Sequence, residues 1–210
     1  MSGLHRGSVA IVGLAESQLG LCAPGTQPID LMAQATLRAL DDCGLKMTEI
    51  DGIFSSTTQM RFTTLALTEY LGITAKYQDN TQIGGSSFMS HIGHAMMAIE
   101  HGLCEVALIV YGSTQKSVSR AVASPREFDP YETPYKPFLP PTAYAMAAAR
   151  HMHQYGTTRE QLAQVAVAAR HWALLNPVAW EKKPLTVEEV LCSRMVSHPL
   201  TIRDCCLVTD

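Results

Sequence analysis

Charge is scarce in this 210-residue chain: Asp, Glu, Lys and Arg make up 17%, against about 25% in an average globular domain. The net charge is −3 and there is no basic block, which excludes the basic stripe of a nucleic-acid-binding surface. No unbroken apolar run approaches the roughly 18 residues of a membrane helix, so no span is expected. The run 8–14 is too short for a secretory signal core and reads instead as a strand. The six cysteines (Cys22, Cys43, Cys104, Cys192, Cys205 and Cys206) form no C-x-x-C pair. That leaves out the usual zinc and redox spacings and predicts reduced packing thiols in a cytoplasmic protein. Few charges alongside 47% apolar residues predict a surface partly covered, by a partner subunit or by further sequence.

What is present is an alternation of strand and helix signals. The run 8–13 is β-branched and ends in Gly13, as a buried first strand does. Pro28 suits a first helical position, Ile29, Ala33, Leu37 and Leu40 recur at helical spacing, and Gly44 fits the residue that closes a helix. Runs 50–56 and 77–83 predict the next two strands, with a short helix over 63–71 between them. Gly84-Gly85-Ser86-Ser87 then opens a helix reaching about His101. Phe88, Ile92, Ala95 and Ile99 share one face of it, and Met89, Met96 and Met97 lie elsewhere, so burial on nearly all sides is expected. The run 106–111 is almost wholly apolar and predicts a central strand. This alternation means α/β layering with crossover connections.

Composition changes after Ser113. Six of the 11 prolines fall in 125–141, interleaved with Tyr131, Tyr135 and Phe138, which predicts a long but ordered insertion. Helical sequence returns over 142–155. Thr157-Thr158-Arg159-Glu160 reads as a capping box for a helix to about Leu175, and Thr186-Val187-Glu188-Glu189 as one for a helix to about Met195.

Three stretches carry a resemblance. They are Val9-Ala10-Ile11-Val12-Gly13 with the helix after Pro28; the junction 80–95; and the series beginning Gln154-Tyr155-Gly156-Thr157-Thr158-Arg159. The last continues through Asn176-Pro177, Pro184-Leu185-Thr186, Ser193-Arg194-Met195, Pro199-Leu200-Thr201 and Asp204-Cys205-Cys206. In order and spacing the chain resembles the thiolase superfamily, in its sterol-carrier-protein-type, lipid-transfer-protein-like branch. The resemblance implies the N-terminal half of a thiolase-like α/β fold, a mixed sheet with a buried central helix, plus a mostly helical loop domain. It divides the chain into that half at 1–113, a CoA-covering loop domain at 114–200 and a return toward the last strand at 201–210, with the C-terminal half absent. It further implies a coenzyme A thioester as substrate, no covalently bound cofactor, and a homodimer.

Thiolases start the buried helix with a nucleophilic cysteine, and the resemblance puts Gly85 at that position. A nucleophile there gains from the helix dipole and from backbone N–H groups that stabilise an oxyanion. Ser86 and Ser87 either replace the thiol or cap the helix. A hydroxyl without an adjacent base is a poor nucleophile, and both residues suit a cap. The resemblance therefore leaves three functions open. One is C–C bond chemistry on an acyl-CoA without a cysteine acyl-enzyme. Another is retro-aldol cleavage of a β-hydroxyacyl-CoA such as a steroid side chain, with a small zinc-ribbon/OB-fold partner. The last is a non-catalytic acyl-CoA or lipid-binding subunit.

Gly84, Gly85, His91 and Tyr144 are the candidate substrate-binding residues. His91 and His94 are neighbours on one helix, without further residues to complete a metal site. His151 and His153 point apart, and Cys205-Cys206 reads as packing. Tyr131, Tyr135, Phe138 and Tyr144 either line an acyl or adenine pocket or pack the loop domain.

Overall fold

The structure, a computed structural model, describes residues 6–118 and 129–206. Contacts divide the chain into two compact units, Met1–Pro125 with Thr209–Asp210, and Arg126–Val208.

The first unit is a three-layer α/β arrangement. Its sheet has strands β1 (Gly52–Ser55), β2 (Tyr77–Asp79) and β3 (Ala107–Val110) in the order β2-β1-β3, all parallel. The register sets Ile53 against Gln78 and Leu108. Helices α1 (Pro28–Cys43) and α2 (Thr63–Leu71) cover one face, and α3 (Ser87–Glu100) covers the other. The pleat explains this division. Ile53 joins Met32, Ile50, Leu67, Ile73 and Val110 on one side, while Phe54 joins Ala95, Ala98 and Cys104 on the other. Gly52 is required at its position, because a Cβ there would sit 2.8 Å from the Cys104 sulfur.

One carboxylate organises the strand starts. Asp51 Oδ1 accepts the N–H groups of Glu105 and Val106, both at 2.8 Å, and Oδ2 pairs with Lys76 Nζ at 3.0 Å. The Asp51 carbonyl also accepts the Lys76 and Tyr77 N–H groups. Burial pushes the Asp51 carboxyl up, but these hydrogen bonds and Lys76 outweigh it and hold it below the ordinary carboxylate value.

Several sequence expectations are corrected here. The run 8–13 is not a strand: it pairs with no strand among the described residues, and Ile11 and Val12 stand exposed. Composition favoured a strand, but a strand exists only through its partner. β1, rather than the run 106–111, is central, and β3 keeps one edge unpaired among the described residues. In α1 the buried positions are Pro28, Leu31, Met32 and Thr36, while Leu37 is exposed. Thr36 tolerates burial because its hydroxyl donates to the Met32 carbonyl at 2.8 Å. α3 packs one face, Ser87, His91, Ala95 and Ala98, and exposes Met89 and Met97, so it is not enclosed all round within the described residues.

The second unit contains α4 (Pro141–Tyr155), α5 (Arg159–Leu175), α6 (Val187–Leu191) and an antiparallel pair, β4 (Met195–Ser197) with β5 (Leu200–Thr201). α5 starts at a Thr158–Gln161 capping box, one residue later than the sequence reading. α6 has the expected Thr186–Glu189 box but ends at Leu191, because β4 begins at Met195. Arg159 Nη2 meets Asp204 Oδ2 at 2.9 Å, and Thr201 donates to the same oxygen twice, through its N–H and its hydroxyl, each at 2.7 Å. The proline-rich insertion is described only from residue 129 onward, and Tyr131 and Tyr135 there are 85% exposed.

Candidate functional site

α3 begins just beyond the C-terminal end of β2, on the side of a parallel sheet where α/β folds place ligands. The connection from Asp79 to Ser87 is held at nearly every step. Asp79 Oδ1 accepts the Thr81 N–H at 2.7 Å and the Thr81 hydroxyl at 2.6 Å, a local turn typical of aspartate. Asn80 Oδ1 accepts the Thr64 N–H of α2 at 3.4 Å. The Ile83 N–H donates to Ser87 Oγ at 2.9 Å, and that hydroxyl donates to the Gly84 carbonyl at 2.6 Å. Ser87 is 1% exposed and its hydroxyl is spent on closing the turn.

The tip of this connection is open. Gly84, Gly85 and Ser86 are exposed. Gly84 has φ +79°, a left-handed conformation in which any side chain is strained. Gly85 differs in having no positive φ, and a Cβ placed on it meets no atom within 4 Å. Ser86 is the N-cap residue, yet its side chain makes no capping bond and the first turn carries no acidic residue. The capping expected of Ser86 therefore does not occur, and the positive end of α3 is left without a side chain of its own to satisfy it.

Two histidines stand behind the turn. His91 is fully buried, with Phe54 and Phe88 rings around it at centroid distances of 6.2 and 5.7 Å. Its Nε2 donates to the Thr81 carbonyl at 3.0 Å, and its Nδ1 has no hydrogen-bond partner among the described residues. His94, one turn on, donates from Nδ1 to Asp79 Oδ2. Burial raises the Asp79 carboxyl, but the Thr81 hydroxyl, His94 and the Thr81 N–H together hold it below its usual value.

The structure thus gathers Gly84, Gly85, Ser86, Ser87 and His91 around one connection. Tyr144 lies in the other unit, on α4, and is 68% exposed. Tyr131, Tyr135 and Phe138 are exposed as well. A concavity of about 280 Å³ in the second unit is lined by Ala166, Ala169, Arg170, Ala173, Trp180 and Cys205 among others. Burial raises the Cys205 thiol, with Asp204 adding to the effect. Among the described residues no three His, Cys, Asp or Glu side chains group as metal ligands, and no helix is long and apolar enough to cross a membrane. The sequence reading missed Asp79 and Thr81. The Asp-x-Thr spacing signals their turn, but the pairing of Asp79 with His94 spans 15 residues and leaves no local pattern.

No family model matches the chain. It is 30% identical over 216 residues to 17-hydroxy-3-oxo-4-pregnene-20-carboxyl-CoA lyase of Mycobacterium tuberculosis, covering 97% of this chain and 55% of that protein. Among solved structures it resembles an Ltp2-ChsH2(DUF35) aldolase, with TM-score 0.76 and 28% identity over 96% of this chain and 54% of that one. A monomeric SCP2-thiolase-like protein type 1 from Mycobacterium smegmatis shares the fold at TM-score 0.70 and 20% identity, over 90% of this chain and 41% of that one. The chain spans about half the length of the curated relatives it matches. On sequence and architecture together, it is a homologue of the SCP2-thiolase-like proteins and carries a thiolase-like fold.

Proposed function

We propose that this chain is the thioester-binding part of a lyase that cleaves a β-hydroxyacyl-CoA by a retro-aldol reaction, with a steroid side chain as the acyl group. The observation that carries this reading is the start of α3: an open helix end without a side-chain cap, entered through Gly84 and Gly85. In this reading Gly85 takes the place of the thiolase cysteine, as the sequence resemblance implies. Cys104, the cysteine nearest in sequence, packs under Gly52 at the opposite end of the strands. Burial raises its thiol, with the Asp51 charge adding to the effect, which is the reverse of what an acyl-accepting thiolate needs.

Retro-aldol chemistry needs no such thiolate. A base removes the proton from the β-hydroxyl, the Cα–Cβ bond breaks, a ketone leaves, and the electron pair passes to the thioester as its enolate. A proton on Cα then gives the shortened acyl-CoA. The group that must be stabilised is the enolate oxygen, and backbone N–H groups at the positive end of α3 suit it. In this reading Gly84 and Gly85 let the thioester approach the backbone closely, and Ser87 shapes the turn. His91 does not act as the base, because it is enclosed and already bonded through Nε2. The segment 114–200 acts as the domain that covers CoA, and Tyr144 takes part in acyl or nucleotide contact there. A small partner of the zinc-ribbon/OB-fold kind completes the enzyme; the likeness to the Ltp2-ChsH2(DUF35) aldolase supports this. The active protein is a homodimer in this reading.

The test compares two substrates. With the compound in the relative's name, 17-hydroxy-3-oxo-4-pregnene-20-carboxyl-CoA, the protein supplied with such a partner should release a steroid ketone and a shortened acyl-CoA. With a β-ketoacyl-CoA and free CoA it should release nothing. Thiolytic formation of acetyl-CoA in the second reaction would overturn the reading in favour of acyl transfer.

A further inference from the structure

The connection that carries Gly84 and Gly85 is tied to the body of α3 by two histidines that act through two different groups. His91 reaches the Thr81 carbonyl at 3.0 Å. His94 reaches the Asp79 carboxylate, which grips the N–H and hydroxyl of the same Thr81 at 2.7 and 2.6 Å. Thr81 is therefore held from both its donor and its acceptor sides, three residues before Gly84. His91 and His94 are one helical turn apart, so both bonds share one rigid element. The rings of Phe54 and Phe88 fix the His91 ring. The bonds have an unequal setting: His91 is fully buried, whereas the His94 side chain is 35% exposed and Asp79 13% exposed.

We propose that Asp79, Thr81, His91 and His94 form a clamp that sets the position of the Gly84–Gly85 turn, making both histidines positioning residues for whatever the open end of α3 binds. An aspartate accepting three hydrogen bonds on two oxygens is oriented about both axes, so the strand end it belongs to cannot rotate without breaking them. A fixed strand end delivers the glycines at one height relative to the helix. Where the ligand is a CoA thioester, as the proposed function has it, the clamp sets the distance between the thioester oxygen and the helix amides.

The test uses pairs of variants that keep or remove one donor. His94→Asn keeps a donor near the Nδ1 position and His94→Leu removes it; His91→Gln keeps a donor near Nε2 and His91→Leu removes it. The readout is amide hydrogen exchange at Ile83 and Ser87, whose N–H groups close the turn, against Ile53 in the core. His94→Leu should speed exchange at Ile83 and Ser87 by roughly tenfold or more relative to Ile53, the worth of one bond to a carboxylate, and His91→Leu by roughly several-fold, the worth of a neutral bond; the Asn and Gln variants should restore most of it. Equal acceleration at Ile53 would mean plain destabilisation and would overturn the clamp, as would no change at Ile83 and Ser87 in either Leu variant. Binding of butyryl-CoA by isothermal calorimetry is measured in parallel. A roughly tenfold weaker Kd in His94→Leu, rescued in His94→Asn, supports the positioning role. Failure of the unsubstituted protein to bind butyryl-CoA sinks the thioester reading alone, since the exchange result decides the clamp independently.

Discussion

The starts of α3 and α5 pose the same problem and answer it differently. Every α-helix begins with N–H groups that have no partner within the helix. α5 and α6 satisfy theirs from their own sequence: Thr158 accepts the Gln161 N–H at 3.3 Å, and Thr186 accepts the Glu189 N–H at 3.2 Å, each answered by the N3 side chain. α3 has serine at the cap position and spends nothing on capping. Its second serine closes the preceding turn instead. The contrast separates helix starts capped by their own side chains from one that has no side-chain cap.

The largest expected effect sharpens the closed side of this contrast. Arg159→Ala leaves the Asp204 carboxylate, 5% exposed, without its cation at the first residue of α5. Breaking such a pair on one side should cost about 3 kcal/mol, read as a lower midpoint in urea unfolding. The same pair gives a pH signature. Burial alone would raise Asp204, but Arg159 and Thr201 hold it below the ordinary value. A carboxyl with a depressed folded value adds stability that is complete above its unfolded value of about 3.9 and is lost as pH falls toward the folded one. Stability should therefore fall as pH drops below about 4, and less steeply in Asp204→Asn.

A smaller effect tests the comparison directly. Thr158→Ala and Thr186→Ala should each cost about 1 kcal/mol, whereas Ser86→Ala should stay within about 0.5 kcal/mol because no cap bond is lost. A loss from Ser86→Ala equal to the threonine losses would erase the distinction. The smallest effect on stability belongs to Gly85→Cys. Its side chain enters open space, so the melting temperature should hardly move. The new thiol, placed at a helix N-terminus, should titrate about one unit below the free value of about 8.5 in iodoacetamide kinetics. A thiol of ordinary reactivity would mean that the helix end is not electrostatically open.

These contrasts also mark what was legible in the sequence. Local codes were readable: Gly44 ends α1 with φ +74°, Gly156 ends α4 with φ +70°, and the Thr186 box starts α6 where expected. The glycine pair opening α3 was legible for the same reason. What failed depended on partners distant in sequence. Residues 8–13 have the composition of a strand and find no strand to pair with among the described residues. The apolar pattern of α3 announced burial but did not say which face would receive the sheet. His91 and His94 were visible as neighbours, yet their meaning lies in Thr81 and Asp79, which reach them only through the fold.

Asp51 gathers the beginnings of all three strands at the end of the sheet away from Gly84. The alignment of the frame is thus indexed from its far side, like a ruler read from the zero mark. Residues beyond the other ends of the strands are free to change chemistry without shifting the strands that carry them. A scaffold built this way can take different side chains at the head of α3 and keep its shape, and the open space around a Cβ on Gly85 leaves room for them.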